Sequence, residues 1–233
     1  MATGAVDLSM ASTVDLLTEI RRRYAVLSQP RQNVILFGTP LAGKWTAADA
    51  LRKTIGLCHI DWSMQKSKTE DHSDEAALKF VKDGLMAPQC RRGFLLQGFP
   101  ENVDQAEKLD GMLKENAVEI NTSISLTTDV AAAKDRAGGR MVHADSGRRY
   151  HMKYSPPRET GLDDVTGHKL ISRASDDPSK IAKTFESDKA NVVDLQAYYK
   201  KQNKLLDMDG SLAPRQIFSM VHEFLSTWKK PEN

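Results

Sequence analysis

Apolar residues fall along this chain in two rhythms, and the alternation between them predicts a layered α/β domain. Val34, Ile35, Leu36 and Phe37 run unbroken between polar residues and Gly38, as in a central parallel strand buried on both faces. Shorter runs at 57–60, 93–99, 122–126 and 204–207 predict four further strands. Helical spacing predicts helices over 46–55, 74–82, 103–115, 129–137, 179–202 and 213–228, the last opening near Pro214. A leading amphipathic helix over 13–24 carries Val14, Leu17 and Ile20 and closes at Ser28, Gln29 and Pro30. Strand and helix alternate as in βαβ units.

The rhythm fails between 138 and 177, where Gly, Pro, Ser, Asp and Arg crowd together with little apolar periodicity. That stretch predicts an inserted subdomain. The organisation expected is a lead-in over 1–30, a core over 31–137, the insertion over 138–177, and the rest of the core over 178–233.

Composition agrees: 233 residues, 40% hydrophobic and 27% charged, suit one domain with a small insertion. A net charge of +2 is too balanced to argue for nucleic acid or an anionic membrane surface as the main partner. The first twenty residues hold Asp7, Asp15 and Glu19 and lack an apolar or arginine-rich targeting pattern. With no run of membrane-spanning length, no membrane insertion is expected, and the cytoplasm or the mitochondrion is the expected compartment.

Candidate chemistry begins after the first strand, in GTPLAGKWT. A glycine-rich turn between a buried strand and a helix aims backbone N–H groups into one concavity that can hold a phosphate, and Lys44 adds a cation there. The pattern G-x-x-x-x-G-K-[ST] holds through Lys44, but Trp45 follows and the hydroxyl comes one place late, at Thr46.

GTPLAGKWT, then GFLLQGFPENVDQAEKL, then GRMVHADSGRRYHMKYSPPRETGLDDVTGHKLISRASDD resembles, in that order, the long-lid adenylate kinases of eukaryotic type. The likeness runs from about residue 13 to 225 and is weakest over 61–73. It implies a P-loop nucleoside monophosphate kinase fold, a five-stranded parallel sheet flanked by helices, a lid over ATP and an arm for AMP. The family reaction interconverts 2 ADP with ATP plus AMP. The resemblance assigns ATP to Gly38, Gly43, Lys44, Thr46, Arg136 and Arg140, with Mg2+ only alongside ATP. It leaves Lys44 and Arg140 as remnants of the catalytic set and Gln105 as the match to the residue that reads the AMP base.

Much else departs from the family. Phosphoryl transfer is mostly positioning and charge compensation, so it needs cations. The AMP-holding threonine and arginine after the second strand have no counterpart in Asp61, Trp62, Ser63, Met64, Gln65, Lys66 and Ser67, and the arm beyond, a remnant over 61–73, is shortened. The motif D-G-F-P-R reads Gln97-Gly98-Phe99-Pro100-Glu101, losing a magnesium-ordering carboxylate and turning an AMP-phosphate arginine into an acid that would repel substrate. Two family arginines after the lid fall on Ala174 and on Thr184 or Phe185; Arg173, Arg91, Arg92, Arg149 and Arg158 remain as substitutes. Leu41 and Trp45 stand where the family has glycines, so Leu41 is strained if that backbone needs positive φ.

In the lid, His143, Ser146, Asp163 and Thr166 occupy the places of four zinc-binding cysteines in some relatives. They cannot form that site, no zinc is expected in the lid, and hydrogen bonding among them is expected to hold it together. Cys58 and Cys90 match cysteines of eukaryotic relatives on neighbouring strands. A disulfide would suit an oxidising compartment and two buried thiols the cytosol; the reduced pair is the expectation. The residues taken together predict a catalytically impaired adenylate-kinase-like protein that binds nucleotide and serves a protein partner or multisubunit assembly, against the alternative of an active nucleoside monophosphate kinase.

Overall fold

The computed structural model describes residues 12–14, 16, 17, 20, 31–172, 176–212 and 214–227. Strands β1 (Gln32–Gly38), β2 (Cys58–Asp61), β3 (Gly93–Gln97) and β4 (Thr122–Thr127) join β7 (Leu205–Asp209) in one sheet of order β2-β3-β1-β4-β7. Every pairing in it is parallel. The helices are α1 (Lys44–Ile55), α2 (Trp62–Lys66), α3 (Asp74–Met86), α4 (Val103–Glu115), α5 (Val130–Gly138), α6 (Pro178–Lys201) and α7 (Pro214–Thr227).

The sheet is buried on both faces, which is why its central strands read as unbroken apolar runs. Ile35, Phe37, Phe94 and Leu96 meet Val81, Leu109, Leu195 and Tyr199 from α3, α4 and α6. Val34, Leu36, Leu95, Ile124 and Leu126 meet Leu51, Ile55, Ile217 and Val221 from α1 and α7. Trp62 is 3% exposed and packs against Phe80, the two rings tilted with their centres 5.6 Å apart.

Two boundaries move. Helix α1 starts at Lys44 rather than 46, and Gly138 closes α5 instead of opening the insertion. The insertion is built on an antiparallel pair, β5 (Arg140–Val142) with β6 (Arg149–His151), and on bridges Val142 to Ile171 and Leu162 to Lys169. Near the amino end of the chain, Val14, Leu17 and Ile20 are helical but stand exposed; most of 13–24 lies outside the described residues.

The expected reduced cysteines are corrected: Cys58 and Cys90 form a disulfide. Cys58 opens β2, and Cys90 ends a 3-10 turn, Pro88–Cys90, that leads into β3. Their Cα atoms are 4.8 Å apart, inside the range a bridge spans.

Candidate functional site at the carboxyl ends of the strands

Open parallel sheets bind ligands outside the carboxyl ends of their strands, where the strand order reverses. Here β1 ends in the phosphate loop, with β3 on one side and β4 on the other. Gly38 closes the strand at φ 142, and a Cβ there would fall 1.8 Å from the Leu126 carbonyl oxygen. Only glycine fits that crossing of backbones.

The loop reaches α1 through Leu41, at φ 59, and Gly43, at φ 88. The condition attached to Leu41 is met: it holds a left-handed conformation that costs an L side chain roughly 1–2 kcal/mol. Its side chain packs on Ala133, Ala137, Ile181 and Phe185, which supports it there. Asp61, Ser73, Asn102, Asp129 and Asp177 cap α2 through α6 with side-chain hydrogen bonds, whereas Gly43 caps α1 with none. The first amides of α1 have no partner within the helix and carry its positive dipole end.

Lys44 Nζ folds back into the concavity and donates to the carbonyl oxygens of Gly38 at 2.8 Å and Thr39 at 2.6 Å. Burial lowers its pKa to about 8; Asp188 and Glu101 oppose the shift and Arg140 adds to it. Arg136 Nη1 donates to the Leu41 carbonyl at 3.0 Å, so this arginine braces the loop from α5. Arg140 Nη1 reaches Asp176 at 3.4 Å. Thus Gly38, Gly43, Lys44, Arg136 and Arg140 converge, while Thr46 sits exposed two residues into α1.

Gln105 does not join them. Its Oε1 accepts from the Glu101 amide at 2.7 Å and its Nε2 donates to Asp74 at 2.8 Å, so it ties two helix starts together. Glu101 is ion-paired with Lys66 at 3.0 Å. Gln97 is 4% exposed, with Asp61 as its register partner on β2. Ala174 and Arg173 lie outside the described residues. Phe185 is core at 1% exposure. Arg91 and Arg92 precede β3 and so belong to the opposite end of the sheet.

Two participants, Asp188 and Asp61, were not assigned a role from sequence, and a third, Arg149, was named there only as a substitute cation. Asp188, one turn after Thr184 on α6, faces Lys44 closely enough to raise its pKa; burial and Glu101 hold its own carboxyl above the ordinary range. Asp61 caps α2 through Oδ1, accepting from the Met64 amide at 3.1 Å, while its Oδ2 is buried without a hydrogen-bond partner. Arg149 brings β6 over the ring of Trp45. The insertion also reaches α2: a Cβ at Gly147 would come 3.2 Å from Met64 Cε.

Within the insertion, the polar set does hydrogen-bond. His143 Nδ1 meets Ser146 Oγ at 2.7 Å, and Thr166 Oγ1 donates to Asp163 at 2.9 Å. Asp163 also accepts from both ends of the Arg148 fork, at 2.8 and 2.6 Å, and from the Tyr150 hydroxyl at 3.0 Å.

A buried parallel sheet, an uncapped helix behind a glycine-rich turn and a lysine folded into that turn define a P-loop α/β protein. The adenylate kinase family profile matches residues 62–204. The chain is 36% identical to adenylate kinase 4 of Arabidopsis thaliana, covering 97% of this chain and all of the relative. It is 31% identical to adenylate kinase 3 of Oryza sativa subsp. japonica, covering 95% of this chain and again all of the relative. The chain belongs to the adenylate kinase family. The first of these alignments spans 250 positions, more than the 233 residues here, so that relative carries residues this chain lacks.

Proposed function

We propose that this chain binds ATP at the phosphate loop, is impaired in passing a phosphoryl group to AMP, and serves as a structural or regulatory component of a larger assembly. The observation that carries this reading is the charge around the loop. Lys44, Arg136 and Arg140 stand on the ATP side, whereas Asp61, Gln97 and Glu101 stand on the β2 and β3 side, with Lys66 already engaged by Glu101. A monophosphate entering there brings negative charge to carboxylates, and transfer between two phosphates needs the reverse.

ATP fits what is present. The open amides of α1 and the protonated Lys44 suit the phosphates, and Arg136 and Arg140 reach the same concavity. Mg2+ would arrive with ATP and offset the negative charge of its phosphates. In this reading residues 138–177 form a lid, 61–73 is the remnant of an AMP arm, and 1–30 leads into a core of 31–137 and 178–233.

The names of the relatives favour a second reading, an active adenylate or other nucleoside monophosphate kinase. One purified sample separates the two: calorimetric titration with ATP and Mg2+, then a disproportionation assay with ADP and coupled assays with AMP, CMP, UMP and GMP. Binding without turnover is the expected result. Turnover at an ordinary kinase rate sinks the first reading, and loss of binding in Lys44→Ala ties the nucleotide to the loop.

A further inference from the structure

We propose, resting on the reading that ATP occupies the phosphate loop, that the chain holds it without a protein-bound Mg2+ ion and that Arg149, seated on Trp45, supplies the countercharge in the ion's place.

The oxygens at this end of the sheet do not fit a magnesium site. Mg2+ asks for hard oxygen ligands in a near-octahedral array and gives up its water reluctantly. Gln97, where the family motif has a carboxylate, is a neutral amide and 4% exposed. Asp61 accepts from the Met64 amide and the Ser63 hydroxyl on Oδ1, and its Oδ2 is buried, out of reach of a hydrated ion. Glu101 is ion-paired with Lys66, and Asp188 faces Lys44. Each of these carboxylates already serves a group of the chain.

Cations, by contrast, gather from the insertion. In the ribbon of β5 and β6, Arg140 pairs with His151 and Val142 with Arg149. Paired residues lie on one face and side chains alternate along each strand, so Arg140 and Arg149 share a face. That face lies over the first turn of α1: the charge of Arg140 is felt at Lys44, and the Arg149 guanidinium lies 4.9 Å from the centre of the Trp45 ring. Between the two strands, Gly147 comes against Met64, so the tip of the ribbon touches α2 as well.

Trp45 gives this cation a seat. A guanidinium laid on an aromatic face is attracted to it and keeps its N–H donors in its own plane, where they can meet phosphate oxygens. Glycine, which the resemblance places at position 45, offers no such surface. The neighbouring cations show why one more is needed. Arg140 reaches Asp176 at 3.4 Å and Lys44 faces Asp188, so part of their charge is met within the chain. A triphosphate stripped of metal requires a further cation, and the insertion adds Arg149 beside the loop.

Calorimetric titration of the full chain with ATP, in Mg2+ and in EDTA at matched ionic strength, tests this. The parent is expected to bind in both buffers with affinities within about threefold of one another. Arg149→Ala is expected to weaken binding in EDTA by about tenfold or more, the worth of a charge-assisted hydrogen bond, and by less in Mg2+, which restores the countercharge. Arg149→Lys is expected to recover part of the loss. Arg91→Ala removes a cation at the opposite end of the sheet and is expected to change neither titration. All three variants should keep the parent's far-UV circular dichroism. Binding that requires Mg2+ in the parent overturns the inference and leaves the ATP reading standing, and so does an Arg149→Ala loss that is equal in the two buffers. Absence of binding in either buffer overturns the ATP reading and this inference with it.

Discussion

The guanidinium of Arg149 lies 4.9 Å from the centre of the Trp45 ring, so the insertion rests a cation on the first turn of the helix that carries the phosphate loop. An aromatic face attracts a cation by about 0.5–1 kcal/mol at an exposed site. A double-mutant cycle of Trp45→Ala and Arg149→Ala is expected to return a coupling of about that size in unfolding free energy. Coupling near zero would mean that the two side chains are neighbours without interaction.

The lysine in the loop should make anion binding sensitive to alkaline pH. Its pKa is lowered from 10.5 to about 8 in the folded protein, so between those values the unfolded chain binds more protons and folding stability gains as pH rises. Phosphate binding runs the other way, because an anion favours the protonated amine. ATP affinity should therefore fall as pH rises through about 8, with proton uptake visible as a buffer-dependent heat. Lys44→Met should abolish the uptake; an equally steep fall in that variant would place the titration elsewhere.

Leu41 should distinguish strain from packing. Glycine there relieves the left-handed penalty but forfeits contact with Ala133 and Phe185, so Leu41→Gly should change stability by less than about 1 kcal/mol. Leu41→Val puts a branched side chain at the same φ and should lose roughly 1–2 kcal/mol. Denaturant melts of the two variants check the order, which fails if valine proves the milder change.

Asp163 should be a point of acid sensitivity. The Arg148 fork, with help from Thr166 and Tyr150, holds its carboxyl well below the ordinary range. A depressed carboxylate gives stability that is full above its unfolded pKa, near 3.8, and is lost as pH falls below it. Asp163→Asn should lower the melting temperature at neutral pH more than Asp164→Asn does, and the gap should shrink in acid. A gap that does not change with pH would exclude the ion pair as its cause.

Much of the fold is legible in the chain because buried parallel strands need continuous apolar runs, and 34–37 and 93–97 have them. The loop is legible because glycine at 38 answers a backbone crossing, and the left-handed Leu41 follows from a family glycine position. What is not legible is set by contacts between distant segments. Trp45 and Arg149 are 104 residues apart, and no periodicity links them. Gln105 matches a family position, yet in the fold its two ends are occupied by Glu101 and Asp74. The cysteine pair was open in sequence because strand adjacency permits a bond without requiring one.

The disulfide encloses 32 residues of separation, and within that span lie β2, the Asp61 cap, α2, α3 and the exposed stretch 67–73. This edge of the sheet, with the helices that follow it, is closed into a covalent ring. A protease that cuts at 67–73 opens the ring without releasing either fragment, so the nicked chain runs as one species until a reductant is added and as two afterwards.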